Sequence, residues 1–281
     1  MTIRWLVTGA KGFIGGQFVR ESKKNLNLTL SYLEEADIVE GLNLERKVLE
    51  VLERSNPHAI FHFGACSNTL EYRLQYIMAT NFEVTNIISN WCKSNGRAMI
   101  YSSSAAVYGN SGVIPSNLYA WSKYTAEKVV LANGGVALRY FNVYGPGEDR
   151  KGSMASVFLQ SYLKAKNKVK VELFPGKPQR DFVYINDVLA ANLNAYINYE
   201  TISGKCFDVG TGAPRTFEEG LNLLGINYSY AEVAKIPMGY QFSTAASVER
   251  RLPGWNPEFS LESGITFYKR YLKQTYGELN D

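Results

Sequence analysis

Ile3-Arg4-Trp5-Leu6-Val7-Thr8 is followed directly by Gly9-Ala10-Lys11-Gly12-Phe13-Ile14-Gly15. The first six residues read as a short buried strand, and a helical pattern runs from the last glycine through Arg20. Gly9, Gly12 and Gly15 make a G-x-x-G-x-x-G turn between strand and helix. Such glycines permit a tight turn, close backbone approach to a pyrophosphate and close helix packing. Placed after the first strand, the turn predicts an α/β fold: a Rossmann, doubly wound parallel sheet. Gly9, Gly12, Phe13, Ile14 and Gly15 would then face a dinucleotide.

Reading outward, a second strand spans Leu28 to Leu33, and Glu34 ends it, 19 residues past Gly15. An acid near that distance takes a ribose 2′-hydroxyl and repels a 2′-phosphate, so NAD is favoured over NADP. Glu35 and Asp37 lie close by as alternatives facing solvent. Asn43 and Leu44 precede a helix, Glu45 to Arg54, and would frame the adenine. The strand from Ala59 runs into Phe63, Gly64, Ala65, Cys66 and Ser67, small enough beyond Phe63 for a cofactor to lie on the backbone. His62, alone in an apolar run, reads as a satisfied core histidine. Asn81, a further cofactor candidate, begins an amphipathic helix to about Lys93. Ala98-Met99-Ile100-Tyr101 is the next strand. Ser102-Ser103-Ser104 lies at its C-terminal end, where α/β sheets bind ligands.

Tyr119 and Lys123 stand four residues apart, on one face of a helix. A tyrosine with its usual pKa of about 10 is a poor base at neutral pH, and a nearby ammonium favours its phenolate. The pair therefore reads as an acid/base device for moving a hydroxyl proton during hydride transfer. A half-buried tyrosine beside a surface lysine is the plainer reading of the pair alone.

With 281 residues, 46% hydrophobic and 20% charged, the chain has ordinary globular usage and enough length for one large or two unequal domains. A net charge of +4 is too mild to imply nucleic acid but suits a nucleotide diphosphate. Lys164, Lys166, Lys168 and Lys170 have no interleaved aromatic platform and read as a solvated helix end. The three cysteines, Cys66, Cys92 and Cys206, have no metal spacing and read as free thiols of a reducing cytosol. No run reaches the roughly 18 apolar residues of a membrane span, and no signal peptide precedes the first strand. The expectation is a cytoplasmic homo-oligomer with no metal, nucleic-acid or membrane partner.

Four motifs, in this order, resemble those of the extended short-chain dehydrogenase/reductases that epimerise and dehydrate nucleotide sugars. They are the glycine turn, Ser102-Ser103-Ser104-Ala105-Ala106-Val107-Tyr108-Gly109, Tyr119-x-x-x-Lys123, and Arg139-Tyr140-Phe141-Asn142-Val143-Tyr144-Gly145-Pro146-Gly147. The resemblance implies that Ser104 bonds the reacting oxygen, Tyr119 is the acid/base, and Lys123 holds the nicotinamide ribose and lowers the tyrosine pKa. It places Val143 at the cofactor and Asn142 at the substrate. Dehydratases of this kind carry Asp-Glu after the catalytic Ser or Thr; here Ala105-Ala106 follow Ser104, which argues against elimination. A keto-sugar reductase and a non-catalytic dinucleotide sensor are the other readings.

A narrower resemblance is to the ADP-L-glycero-D-manno-heptose 6-epimerases. It rests on Phe63-Gly64-Ala65-Cys66-Ser67, on Glu148-Asp149-Arg150-Lys151-Gly152-Ser153-Met154-Ala155-Ser156, and on Arg180-Asp181-Phe182-Val183-Tyr184. It implies bound NAD(P), inversion at C6 of a nucleotide-linked heptose, Lys151 as a second base, and a substrate pocket including Ser104, Asn142, Ser153, Phe174, Arg180 and Tyr240. The segment Gly109 to Tyr119 is shorter than in that family, the C-terminal part is trimmed, and Gln160 replaces a pocket histidine. Arg180 suits a diphosphate, because a guanidinium binds phosphate oxygens in pairs. The expected domains are 1–143 plus about 183–212 for the dinucleotide, and about 144–182 plus 213–281 for the nucleotide sugar.

Overall fold

The computed structural model describes residues 2–24, 27–34, 43–112, 114–236 and 240–279. Glu35 and Asp37 lie outside them. The chain divides into two compact units, Met1–Tyr140 with Leu189–Phe207, and Phe141–Val188 with Asp208–Asp281.

The first unit opens with β1 (Ile3–Thr8), α1 (Phe13–Ser22), β2 (Leu28–Leu33), α2 (Leu44–Ser55) and β3 (Ala59–His62). Next come α3 (Leu74–Met78), a π-helical turn at Ala79–Glu83, and α4 (Val84–Asn95). β4 (Ala98–Ser104), α5 (Leu118–Ala132) and β5 (Val136–Tyr140) follow. Asn81 therefore does not begin the amphipathic helix expected to run to about Lys93. It sits inside the π-turn, where its side chain bonds to neighbouring segments instead of capping.

The second unit starts with β6 (Asn142–Tyr144), a 3-10 turn at Glu148–Met154, and α6 (Val157–Lys166). Short strands β7 (Glu172–Leu173), β8 (Gln179–Arg180) and β9 (Phe182–Tyr184) follow, and α7 (Ile185–Ile197) leads back into the first unit, to which its residues from Leu189 and α8 (Tyr199–Ile202) belong. β10 (Cys206–Val209), β11 (Arg215–Thr216), α9 (Phe217–Leu224), β12 (Ser229–Tyr230) and α10 (Leu261–Tyr276) complete the chain. β7 is limited to Glu172 and Leu173, because they pair with a two-residue partner, β12.

The main sheet has six strands in the order β10-β5-β4-β3-β1-β2. The strands from β2 to β5 are mutually parallel. The chain runs from β1 outward to β2 and then returns past β1 to β3, so its direction across the sheet reverses between β1 and β3. Ligands of open α/β sheets bind beyond the strand ends at such a reversal. Thr8 and His62, the last residues of β1 and β3, are register partners there.

Alternation along the strands supplies two apolar faces. Leu6, Ile60, Met99, Tyr101 and Ala137 pack with Val48 and Leu52 of α2, Val84 and Ile88 of α4, and Ala126 and Val130 of α5. On the other face, Trp5 and Phe61 stack with Phe18, Phe63 and Tyr196 at centroid separations of 4.4–6.5 Å. The second unit centres on Tyr144, Phe158, Phe182, Tyr184 and Tyr268, joined by ring contacts. Cys66 and Cys92 are buried, Cys206 is half-buried, and none of the three is in a disulfide among the described residues.

Candidate active site

The glycine turn is built by exclusion of side chains. Gly9 has φ +65°, and a Cβ there would lie 2.8 Å from the Gly64 backbone. A Cβ on Gly15 would lie 2.3 Å from the Gly9 carbonyl oxygen. The turn backbone, the loop after β3 and the start of α1 thus touch directly. Helix α1 has glycine at its N-cap and no acid in its first turn, so its positive end is set at the turn. The Lys11 N–H donates to Glu34 Oε1 at 3.1 Å, which fixes the carboxylate against the turn. These are the features a dinucleotide needs: room for a pyrophosphate on bare backbone and an acid for a ribose. Phe13 is buried and Ile14 half-buried; Asn43 caps α2 without a side-chain bond, and Leu44 opens that helix. Phe63, Gly64 and Ala65 are half-buried and Ser67 is exposed, all on the loop leaving β3.

Ser104 ends β4, and Tyr119 stands in the first turn of α5, which Asn117 caps by accepting from the Ala120 N–H at 2.8 Å. The fold brings the two hydroxyls together, so that Ser104 favours the ionised phenol. Ser104 Oγ also accepts from the Ala106 N–H at 3.1 Å, so its side chain is oriented from behind. Tyr119 is half-buried, and burial raises its phenol pKa more than the Ser104 bond lowers it.

Lys123 is 3% exposed and its Nζ lies 4.4 Å from the centre of the Tyr101 ring. Burial pulls its pKa down to about 7. The sequence expectation that this ammonium would pull Tyr119 down is therefore corrected. An ammonium only half charged at neutral pH has little field to lend, and desolvation of the phenol prevails. One turn further along α5, Glu127 is fully buried and accepts from Ser103 Oγ at 2.6 Å and Arg139 Nε at 2.9 Å. It favours the charged form of Lys123, while Arg139 keeps its own carboxyl below the usual range despite burial. Tyr101 and Glu127 were not singled out from the sequence. Glu127 repeats the four-residue step from Tyr119 to Lys123, and that spacing was the available signal.

Asn81 is 1% exposed. Its Oδ1 accepts from the Cys66 N–H at 2.7 Å, and its Nδ2 donates to Cys66 O at 3.1 Å and Ser122 Oγ at 2.9 Å. Its amide thus binds the β3 loop to α5.

In the second unit, Asn142 begins β6 with an exposed side chain, and Val143 is buried beside Val183 in the register. Lys151 is half-buried in the Glu148–Met154 turn, and burial lowers its pKa against the pull of Glu148. Glu148, 1% exposed, accepts from the Ser156 N–H, the Ser156 hydroxyl at 2.8 Å and the Tyr268 hydroxyl at 2.6 Å. That buried carboxylate anchors the turn carrying Lys151, a function the sequence string did not reveal. Ser153 and Gln160 are exposed; Gln160 Nε2 donates to the Ser153 carbonyl at 3.1 Å and the Ala155 carbonyl at 2.7 Å, closing the same turn.

Arg180, Phe174 and Tyr240 come together. The guanidinium lies 5.2 Å from the Tyr240 ring centre and 5.5 Å from that of Phe217, and Tyr240 meets Phe174 edge-on at 5.2 Å. No carboxylate among the described residues forms an ion pair with Arg180. The adjacent Asp181 is taken up by the Thr211, Gly212 and Ala246 N–H groups and the Thr211 hydroxyl. A half-buried guanidinium between aromatic faces is suited to a phosphate.

The model of the NAD dependent epimerase/dehydratase family matches residues 5–210. An ADP-L-glycero-D-manno-heptose-6-epimerase of Brachyspira hyodysenteriae is 31% identical, covering 98% of this chain and 99% of its own length. One from Alkalilimnicola ehrlichii is 32% identical, covering 94% and 95%. The crystal structure of Helicobacter pylori ADP-L-glycero-D-manno-heptose-6-epimerase superposes with TM-score 0.84 at 27% identity, over 96% of each chain. That of a Thermotoga maritima UDP-glucose 4-epimerase gives TM-score 0.84 at 23% identity, covering 98% of this chain and 100% of that one, a likeness of fold.

Proposed function

We infer the reaction from one premise: this chain belongs to the NAD dependent epimerase/dehydratase family. It is an NAD-dependent isomerase of a nucleotide-linked sugar, and the sugar we propose is an ADP-linked glycero-manno-heptose inverted at C6. The observation carrying this reading is the match, over nearly the whole of both chains, to relatives that bear that activity in their names. The Lys151-Gly152-Ser153-Met154-Ala155-Ser156 string in the second unit supports it.

Bound NAD would supply a hydride acceptor that later serves as the donor. Gly9, Gly12, Phe13, Ile14 and Gly15 would hold its diphosphate, Glu34 its adenosine ribose, and Asn43 and Leu44 its adenine. Phe63, Gly64, Ala65, Ser67, Asn81 and Val143 would line it, and Tyr119 with Lys123 would hold the nicotinamide ribose. In this reading the first unit is the dinucleotide domain and the second the nucleotide-sugar domain.

In its phenolate form, which the Ser104 hydroxyl favours, Tyr119 takes the C6 hydroxyl proton, and Ser104 keeps the reacting oxygen hydrogen-bonded while its charge changes. A ketone is planar, so a sugar that turns over in its pocket offers either face and points its oxygen at a different proton donor. Lys151 is that second group; burial lowers its pKa against the pull of Glu148, which eases loss of its proton. Arg180 holds the diphosphate, Phe174 and Tyr240 pack around it, and Asn142, Ser153 and Gln160 are the remaining contacts.

The test is incubation with each C6 epimer of the ADP-linked heptose, following configuration by NMR. Conversion in both directions is expected, falling by about 10²–10⁴-fold in Lys151→Ala with NAD binding intact. Absence of inversion overturns the sugar assignment. Inversion at the normal rate in Lys151→Ala overturns the second-base role alone.

A further inference from the structure

At the strand reversal, a chain of hydrogen bonds links the glycine turn to the helix that carries Tyr119. The Gly64 N–H donates to Thr8 Oγ1 at 2.8 Å. Thr8 Oγ1 meets His62 Nδ1 at 2.7 Å, and His62 Nε2 meets Thr85 Oγ1 at 2.8 Å. Thr85 Oγ1 reaches the Asn81 carbonyl at 2.7 Å. From Asn81 the path continues through Nδ2 to Ser122 Oγ at 2.9 Å, and Ser122 Oγ donates to the Tyr119 carbonyl at 2.7 Å.

Counting protons fixes the direction of every link. A carbonyl only accepts, so Thr85 spends its one hydroxyl proton on Asn81. Towards His62, Thr85 then acts only as acceptor, so Nε2 carries the ring proton. His62 is 1% exposed and burial brings its pKa down to about 3, so the ring holds one proton, not two. Nδ1 is therefore bare and accepts from Thr8, whose other side accepts from Gly64. The Ser122 proton, spent on the Tyr119 carbonyl, likewise obliges Asn81 to donate. All these bonds point from the cofactor loop to α5, and those made by side chains to side chains are buried.

We propose that His62 is a positioning residue, locked as its Nε2–H tautomer, that transmits the placement of the glycine turn to Tyr119. Gly64 is the residue against which Gly9 packs, so a shift of the turn moves the first donor of the chain. The last acceptor is the backbone of the acid/base itself. His62 also stacks on Tyr101 at 5.7 Å between ring centres, the ring that seats the Lys123 ammonium on the adjacent strand. A second ring proton would thus both reverse a bond of the chain and set a charge near Lys123.

The chain contains two histidines. Nitrogen-15 NMR of the full-length protein, with His58→Gln to assign the other ring, reads the tautomer directly. The expected result is a protonated Nε2 and an unprotonated Nδ1 at pH 6 and pH 8; an Nδ1–H ring, or a doubly protonated one at pH 6, overturns the proposal. The transmission is read from backbone amide signals. His62→Leu should move those of Gly9–Gly15 and of Leu118–Lys123, whereas Thr85→Val should move only the latter. Thr85→Val should also lower kcat about tenfold with NAD affinity unchanged, Thr85→Ser should restore it, and Thr85→Val should add nothing to His62→Leu. A lower melting temperature with both sets of amide signals in place, or additive losses in the double variant, refutes the coupling. The kcat arm rests on Tyr119 as acid/base with the ADP-linked heptose. The NMR arms do not, so failure of that substrate leaves the tautomer and the coupling to be judged by themselves.

Discussion

The phenol of Tyr119 and the ammonium of Lys123 share one helix face but differ in what burial does to them. Desolvation raises the first and lowers the second, so both are pushed towards their neutral forms. Tyr119→Phe removes the hydroxyl while leaving the ring that packs. Turnover should fall about 10²–10⁴-fold with NAD binding and the melting temperature little changed. Lys123 makes a second prediction, for the protein free of NAD. Its folded pKa of about 7 lies below its ordinary value of 10.5, so between these the unfolded chain binds the extra proton. Stability contributed at this site therefore rises with pH across that window, and the full penalty applies below about pH 7. Lys123→Met should raise the melting temperature at pH 6, and the gain should shrink as pH approaches 10. Scanning calorimetry at a series of pH values checks the sign; a gain that grows with pH would contradict the depressed pKa.

Among elements, α5 is held to the end of the sheet by charge as well as by apolar contact. Arg139 of β5 pairs with Glu127 of α5, side chains 12% and 0% exposed, and lies over the Tyr108 ring at 4.7 Å. Removing one member of a buried pair leaves an uncompensated charge, typically costing about 3–5 kcal/mol. Glu127→Ala should lose stability on that scale in urea unfolding, and Arg139→Met in the same chain should recover part of it. The contact between the glycine turn and α1 is steric instead. In Gly15→Ala the new Cβ must push away the Gly9 carbonyl, 2.3 Å distant in the present structure. The expected outcome is weaker NAD binding by about tenfold or more, measured by titration calorimetry.

For the whole molecule, NAD binding and folding are linked, because a ligand that binds only the native state stabilises it by mass action. Saturating NAD at about 100 times its Kd should add about 2.7 kcal/mol to unfolding. NADP should add less, since Glu34, bonded to the Lys11 N–H, would face the extra phosphate. Thermal shifts with each dinucleotide measure the difference, and Glu34→Gln should narrow it. A larger shift with NADP in the wild-type protein would show that Glu34 does not take the ribose.

Local pattern and spacing were enough for much of this protein. The strand-glycine-helix opening, the end of β2 at Glu34, the serines at the end of β4 and the helical pairing of Tyr119 with Lys123 are properties of short segments. Their geometry is set by backbone sterics and helix periodicity within a few residues, so they were legible in the chain itself. The π-turn around Asn81, the brevity of β7 and the pKa values of Tyr119 and Lys123 depend on partners distant in sequence. Asn81 is determined by Cys66 and Ser122, β7 by a two-residue partner, and the Tyr119–Lys123 electrostatics by burial against Tyr101 and Glu127. His62 shows the division most plainly. Its apolar neighbours predicted a satisfied core histidine, but which nitrogen carries the proton is decided by a threonine hydroxyl that must serve the Asn81 carbonyl first, and only the folded chain brings those groups together.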